Sequence, residues 1–290
     1  MSFEPSELIL NKDGSVYHLN LKPEDIAPTV LLVGDPARVP MVSKYFDTLE
    51  VTKSKREFFT HTGVLEGRRI SVISTGIGTD NIDIVLNELD ALANIDLKNR
   101  KLLERRQRLE LIRLGTSGSL QEQVPVDSLV LSDYAIGMDG LLHYYDSEWV
   151  QRADIQLAFL DQTQWSVMKA VPYVVSADMQ LNERLDSDRV TRGFTATNPG
   201  FYGPQGRLLR VPPEDPHLVD RITAFRYEDL RITNMEMETA GIFGLAALMG
   251  HAAASLNCII ANRALGTFSK EPTQTIDRMI RYALERLVRT

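Results

Sequence analysis

Short, unbroken apolar runs that stop at a glycine constrain this chain most. Thr29 to Val33 ends in Gly34, and Ile70 to Ser74 ends in Thr75-Gly76-Ile77-Gly78. Runs this short, without polar alternation, fit strands covered on both faces, as in a parallel sheet. Asn81 to Ala93 then sets Ile82, Val85, Leu86, Leu89 and Leu92 at helical spacing, so the chain returns through an amphipathic helix. Further strands are expected at Leu111 to Leu114, Leu129 to Tyr134, Tyr173 to Ser176 and Leu256 to Ala261. Helices are expected at Ala153 to Ala170, Glu238 to Met249 and Thr273 to Val288. The alternation predicts an α/β fold, a single domain over residues 1–290 whose mixed, mostly parallel central sheet is flanked by helices.

A formal net charge of −7 argues against general affinity for nucleic acid or anionic membrane surfaces. An anionic substrate therefore needs a local arginine cluster. No apolar run reaches the ~20 residues that span a bilayer, and the opening MSFEPSELIL lacks the pattern of a secretory signal, so a cytoplasmic location is expected. The single cysteine, Cys258, lies in an apolar run and reads as a buried small hydrophobe. Asp96 to Arg108 interleaves Lys, Arg and Glu, and a solvated helix is the better reading than a nucleic-acid patch. Val211-Pro212-Pro213-Glu214-Asp215-Pro216 reads as a surface loop.

Four stretches carry chemistry. Leu111-Ile112-Arg113-Leu114-Gly115-Thr116-Ser117-Gly118 drives an arginine and a hydroxyl-bearing, glycine-rich turn off an apolar run, which is how a small anion site is built. Val33-Gly34-Asp35-Pro36-Ala37-Arg38 is a second such station. Asn234-Met235-Glu236-Met237-Glu238-Thr239 sets two carboxylates before a helix; alone they would repel, whereas a sugar diol between or beside them would offer donors to both, and a helix N-terminal charge is the competing reading. In Phe201-Tyr202-Gly203-Pro204-Gln205-Gly206-Arg207, Gln205 donates and accepts while Arg207 only donates, complementing a lactam edge, and Phe201 offers a flat face to a ring. An ordinary Gly/Pro loop is the bland alternative.

In this order along the chain, GDPxR, IRLGTSG, FYxxQGR and EME resemble the uridine-cleaving branch of the nucleoside phosphorylase-I family. The resemblance implies that Gly34, Arg38, Arg113 and Thr116 bind phosphate, with Arg56 reaching in from a neighbouring subunit. It implies that His18 crosses the same interface to the ribose, that Met237 and Glu238 hold ribose hydroxyls with Glu236 beside them, and that Gln205, Arg207 and Phe201 read uracil. Purine-acting members carry an aspartate after the late strand, where this chain has Asn262-Arg263. A dimer is the implied minimum unit and a hexamer the family's common form. Inorganic phosphate is the implied co-substrate, with no cofactor and no metal. Glu57 is present, but Asn81 stands where the resemblance expects a serine of an interface monovalent-cation site, which weighs against that site. His61, His143, His217 and His251 match no motif.

The activity so implied is reversible phosphorolysis of uridine to uracil and ribose 1-phosphate. Competing readings are a phosphorylase or nucleosidase for another nucleoside and a non-catalytic nucleoside-binding homologue. The catalytic set would be Arg207, Gln205, Arg113 and Glu238.

Overall fold

The computed structural model describes residues 2–289. Its strands are β1 (Thr29–Val33), β2 (Thr48–Lys55), β3 (Phe58–Leu65), β4 (Arg68–Ser74), β5 (Ile95–Asp96), β6 (Lys101–Leu102), β7 (Glu110–Ser119), β8 (Leu129–Gly137), β9 (Tyr173–Ser176), β10 (Thr191–Thr197), β11 (Ile232–Glu236), β12 (Ala252–Asn262) and β13 (Thr267–Phe268). The helices are α1 (Arg38–Ser43), α2 (Thr79–Asn94), α3 (Ala153–Thr163), α4 (Met179–Leu185), α5 (Leu218–Ala224), α6 (Thr239–Met249) and α7 (Pro272–Val288).

The expected run Thr29 to Val33 is a central strand because both of its edges and both of its faces are covered. It pairs in parallel with β4 and β7. Parallel pairing continues from β7 to β12 and from β8 through β10 to β11, while β2, β3, β9 and β13 add antiparallel pairs. The sheet also folds back on itself, because β7 holds β12 along one edge and antiparallel β11 on the other. On that second edge β1 pairs only as far as Arg113, and β11 arrives only at Gly118. Between them the edge of β7 at residues 114–117 faces no strand, which opens a notch in the middle of the sheet.

Helices cover both faces. Ile82, Val85, Leu86, Leu89 and Leu92 of α2 pack with the almost wholly buried α6 on one side. Met279, Ile280, Ala283, Leu284 and Leu287 of α7 pack with α1 and α4 on the other, each buried Met, Ile or Leu contributing roughly 1.5–3 kcal/mol. A third cluster around Phe159, Phe194 and Phe225 seats α3 and α5. Helix α6 stops at Gly250, whose left-handed φ of 78° supplies the cap that L-residues resist.

Three expectations are corrected. Gly115 to Gly118 is no turn: it continues β7, because β12 pairs with it from Leu256↔Leu114 to Asn262↔Ser119. Asp96 to Arg108 is no helix. Ile95–Asp96 and Lys101–Leu102 form a small antiparallel ribbon, Asp96 accepts from the Asn99 backbone N–H at 3.0 Å, and the Asn94 amide ties down Gln107 at 2.7 and 3.2 Å. The helix opening at Ala153 ends at Thr163 rather than Ala170, because Gln164 turns left-handed with φ 50°. The proline-rich stretch 211–216 does lie in a mainly exposed loop.

Candidate active site

Several of the predicted residues meet at the notch in β7. Arg113 is buried, and its guanidinium lies across Gly115: a Cβ there would stand 1.5 Å from Nη1 and 2.3 Å from Cζ. The glycine thus serves space rather than backbone freedom. From that bed Arg113 Nη2 donates to Glu238 Oε2 at 2.6 Å and lies 3.1 Å from Glu236 Oε2, while Nη1 donates to Asn257 Oδ1 at 2.5 Å. Burial alone would lower the Arg113 pKa; the Glu236 and Glu238 carboxylates outweigh it and hold the charge more firmly than usual.

The two glutamates therefore converge on Arg113, a cation that the sequence reading does not set between them. Glu236 closes β11 and Glu238 precedes α6. Glu236 Oε2 accepts from the backbone N–H groups of Glu238 and Thr239, both at 2.9 Å, so this carboxylate also caps α6. Its Oε1 accepts from Thr197 Oγ1 at 2.6 Å, and burial pushes its pKa up against the opposing pull of Arg113. Glu238 Oε1 accepts from the Gly78 backbone N–H at 2.8 Å. Met237, between them, is half-buried.

Arg38 opens α1 directly after the Gly34 turn. Its Nη1 donates to the Leu114 carbonyl at 3.0 Å, on the unpaired edge of β7, and its pKa is lowered chiefly by burial. Arg38 and Arg113 thus meet at the notch, Gly34 lies just past the end of β1, and Thr116 is a position on the unpaired edge of β7. Ser117 accepts from Asn234 Nδ2 at 3.0 Å.

The base-loop candidates form a second group. Arg207 Nη1 donates to Gln205 Oε1 at 2.6 Å and to the Phe201 carbonyl at 2.5 Å, and its guanidinium carbon lies 3.7 Å from the Phe201 ring centroid. Gln205 is buried, whereas Phe201 is half-exposed. Arg263 Nη1 donates to the Gln205 carbonyl at 2.5 Å. Burial, and then the neighbouring Arg263 charge, lower the Arg207 pKa. This makes a positive pair suited to an anion. Asn262 is not aimed at that pair: its amide donates to the Gln121 and Val124 carbonyls, both at 2.9 Å, and its Oδ1 accepts from Leu265 N.

His18 lies in the segment before β1, and Arg56 lies between β2 and β3. Arg56 is exposed at the tip of the β2–β3 hairpin with φ 56°. Half-buried His18 is fixed by Glu88, whose carboxylate accepts from the His18 and Leu19 backbone N–H groups and lies 2.7 Å from His18 Nδ1. A carboxylate cannot donate, so Nδ1 carries the proton and Nε2 is left as an acceptor in the neutral ring. Lys55 ties the Tyr17 carbonyl to the hairpin, and the His18 ring sits 6.5 Å from that of Phe58. Thr197, Gly78, Asn257 and Arg263 are the contributors to which sequence reasoning gives no role; Gly78 marks a strand end, Asn257 lies inside an expected strand, and Arg263 is noted only as following Asn262.

A closed-back α/β sheet with an arginine-lined notch, paired glutamates and a donor-rich loop defines a nucleoside phosphorylase. Residues 28–289 match the family described as the phosphorylase superfamily, and the chain belongs to it. A uridine phosphorylase of Thermococcus kodakarensis is 30% identical, covering 92% of this chain and 85% of its own length. A DeoD-type purine nucleoside phosphorylase of Alkaliphilus metalliredigens is 27% identical, covering 92% and 97%. The solved nucleoside phosphorylase of Trypanosoma brucei, described as showing uridine phosphorylase activity, is 28% identical with a TM-score of 0.87, covering 98% of this chain and 100% of its own. No helix among the described residues is long and apolar enough to cross a membrane.

Proposed function

We propose that this enzyme cleaves uridine reversibly with phosphate, giving uracil and ribose 1-phosphate. The observation that carries the choice of base is the Phe201-Gln205-Arg207 cluster with Arg263 behind it, set against an Asn262 whose amide is fully engaged in the scaffold. A purine leaving group calls for a proton donor at the ring, and Asn262 is held away from that task. Uracil instead delocalises negative charge onto its carbonyl oxygens, where hydrogen-bond donors suffice.

In this reading Arg38, Arg113, Thr116 and the Gly34 turn hold phosphate in the notch, and Arg56 of a second copy closes it. Glu238, Glu236 and Met237 seat the ribose, with His18 contributed across the same contact, so the active unit is a homo-oligomer, a dimer at least and a hexamer by family likeness. A phosphate oxygen bonds to C1′ as the C1′–N1 bond breaks, and its electron pair leaves on uracil. The sugar passes through an oxocarbenium-like state that the phosphate charge stabilises from below. Arg207 and Gln205 donate to the departing uracil, which then takes a proton from solvent.

The test is uracil release from uridine by purified protein, with phosphate present and rigorously removed, beside adenosine and inosine. Phosphate-dependent release from uridine, at least tenfold faster than from either purine, is expected. Release without phosphate would make the protein a hydrolase, and faster purine cleavage would overturn the base assignment.

A further inference from the structure

We propose that Asn257 is a positioning residue of the phosphate site: a neutral acceptor that sets the Arg113 guanidinium without cancelling its charge. The proposal rests on the reading of Arg113 as a phosphate ligand.

The register places Asn257 opposite Gly115 and Ser255 opposite Arg113 on parallel β12 and β7. Because Gly115 has no side chain, the guanidinium lies across it and meets Asn257 on the next strand. Asn257 is fully buried, so no bulk water competes for its amide. Its Nδ2 donates to Ser255 Oγ at 3.1 Å, which turns Oδ1 toward Arg113. Ser255 Oγ in turn pairs with Thr239 Oγ1 at 2.9 Å, at the start of α6. A buried polar chain therefore joins the arginine of the notch to the helix that follows Glu238.

The choice of an amide has an electrostatic consequence. Arg113 already faces two carboxylates. A third on Nη1 would hold the guanidinium just as well but leave the notch more negative, and an incoming phosphate would meet repulsion in a poorly screened interior. An amide supplies the hydrogen bond and the direction without the charge. Substitution to Asp keeps shape and acceptor while adding the charge; substitution to Ala removes the acceptor and adds none.

The experiment is calorimetric titration of inorganic phosphate into full-length protein without nucleoside, for wild type, Asn257→Asp and Asn257→Ala, with KM for phosphate and for uridine and a thermal melt of each. Asn257→Asp is expected to fold with a near wild-type Tm yet weaken phosphate binding roughly tenfold or more. Its KM for uridine at saturating phosphate should change by less than about threefold, and part of the lost affinity should return as the pH is lowered and the new carboxyl takes up a proton. Asn257→Ala is expected to weaken phosphate severalfold with no such recovery. A purely scaffolding Asn257 would move Tm alone; phosphate affinity unchanged in whichever variant folds would overturn the proposal. If wild type itself fails to bind phosphate, the phosphorolysis reading falls first and this inference with it.

Discussion

Gly115→Ala is the most exacting perturbation the geometry offers. The three nearest atoms that a Cβ would meet are Nη1, Cζ and Nη2 of Arg113, at 1.5, 2.3 and 2.8 Å. Ordinary contact needs roughly 3.5–4.0 Å, so the guanidinium must retreat by about 2 Å. That distance exceeds the slack in its bonds to Glu238 at 2.6 Å and Asn257 at 2.5 Å. Glu236 and Glu238 would then be left buried without their cation. Breaking a buried ion pair by removing one partner costs about 3–5 kcal/mol, which in a chain of this size is roughly 5–10 °C in Tm. Phosphate affinity should fall with it. A double-mutant cycle isolates the cause: in an Arg113→Ala background the added methyl has room, so Gly115→Ala should cost almost nothing further. Melts and phosphate titrations of the four proteins decide the matter. An unchanged Tm and phosphate Kd in the single variant, or equal costs in both backgrounds, would refute the argument that this glycine exists to bed the arginine.

Arg207→Ala should lower kcat on uridine by about a hundredfold or more, the usual effect of removing a donor to a developing anion, while leaving Tm within a few degrees because the residue sits on a half-exposed loop. Steady-state rates beside a melt check this, and near-normal turnover would withdraw the base-reading role. Asp277 accepts from Lys44 at 2.6 Å and from Tyr45 at 2.8 and 2.9 Å, and the Lys44 bond first, then Tyr45, hold its carboxyl below the usual range. A depressed carboxyl stabilises the fold above its unfolded pKa and loses that contribution as the pH falls through its folded one. Asp277→Asn should therefore melt below wild type at neutral pH, with the gap closing below about pH 4. A gap independent of pH would mean that packing, not charge, joins α7 to α1.

What the sequence disclosed tracks what each segment buries. Thr29 to Val33 and the apolar stripe of α7 were legible because their partners are apolar, so burial shows directly as hydrophobicity. Strands β10 and β11 were not, although they are just as buried, because Thr195 meets Asn234 and Thr197 meets Glu236: the polar groups satisfy one another across the pair, and no periodicity in either strand alone announces it. The same physics hid the bed of Arg113. Gly115, Thr116 and Ser117 are turn residues by local preference, and only pairing with β12, distant in sequence, keeps them extended. The GTSG stretch could therefore be singled out as a candidate site while its conformation was misread. The chemistry depends on which side chains the strand carries, whereas the conformation depends on a partner that no local pattern names. Asn257 lies on that partner strand, deep in an apolar run, and its meaning exists only once the register sets it opposite a glycine.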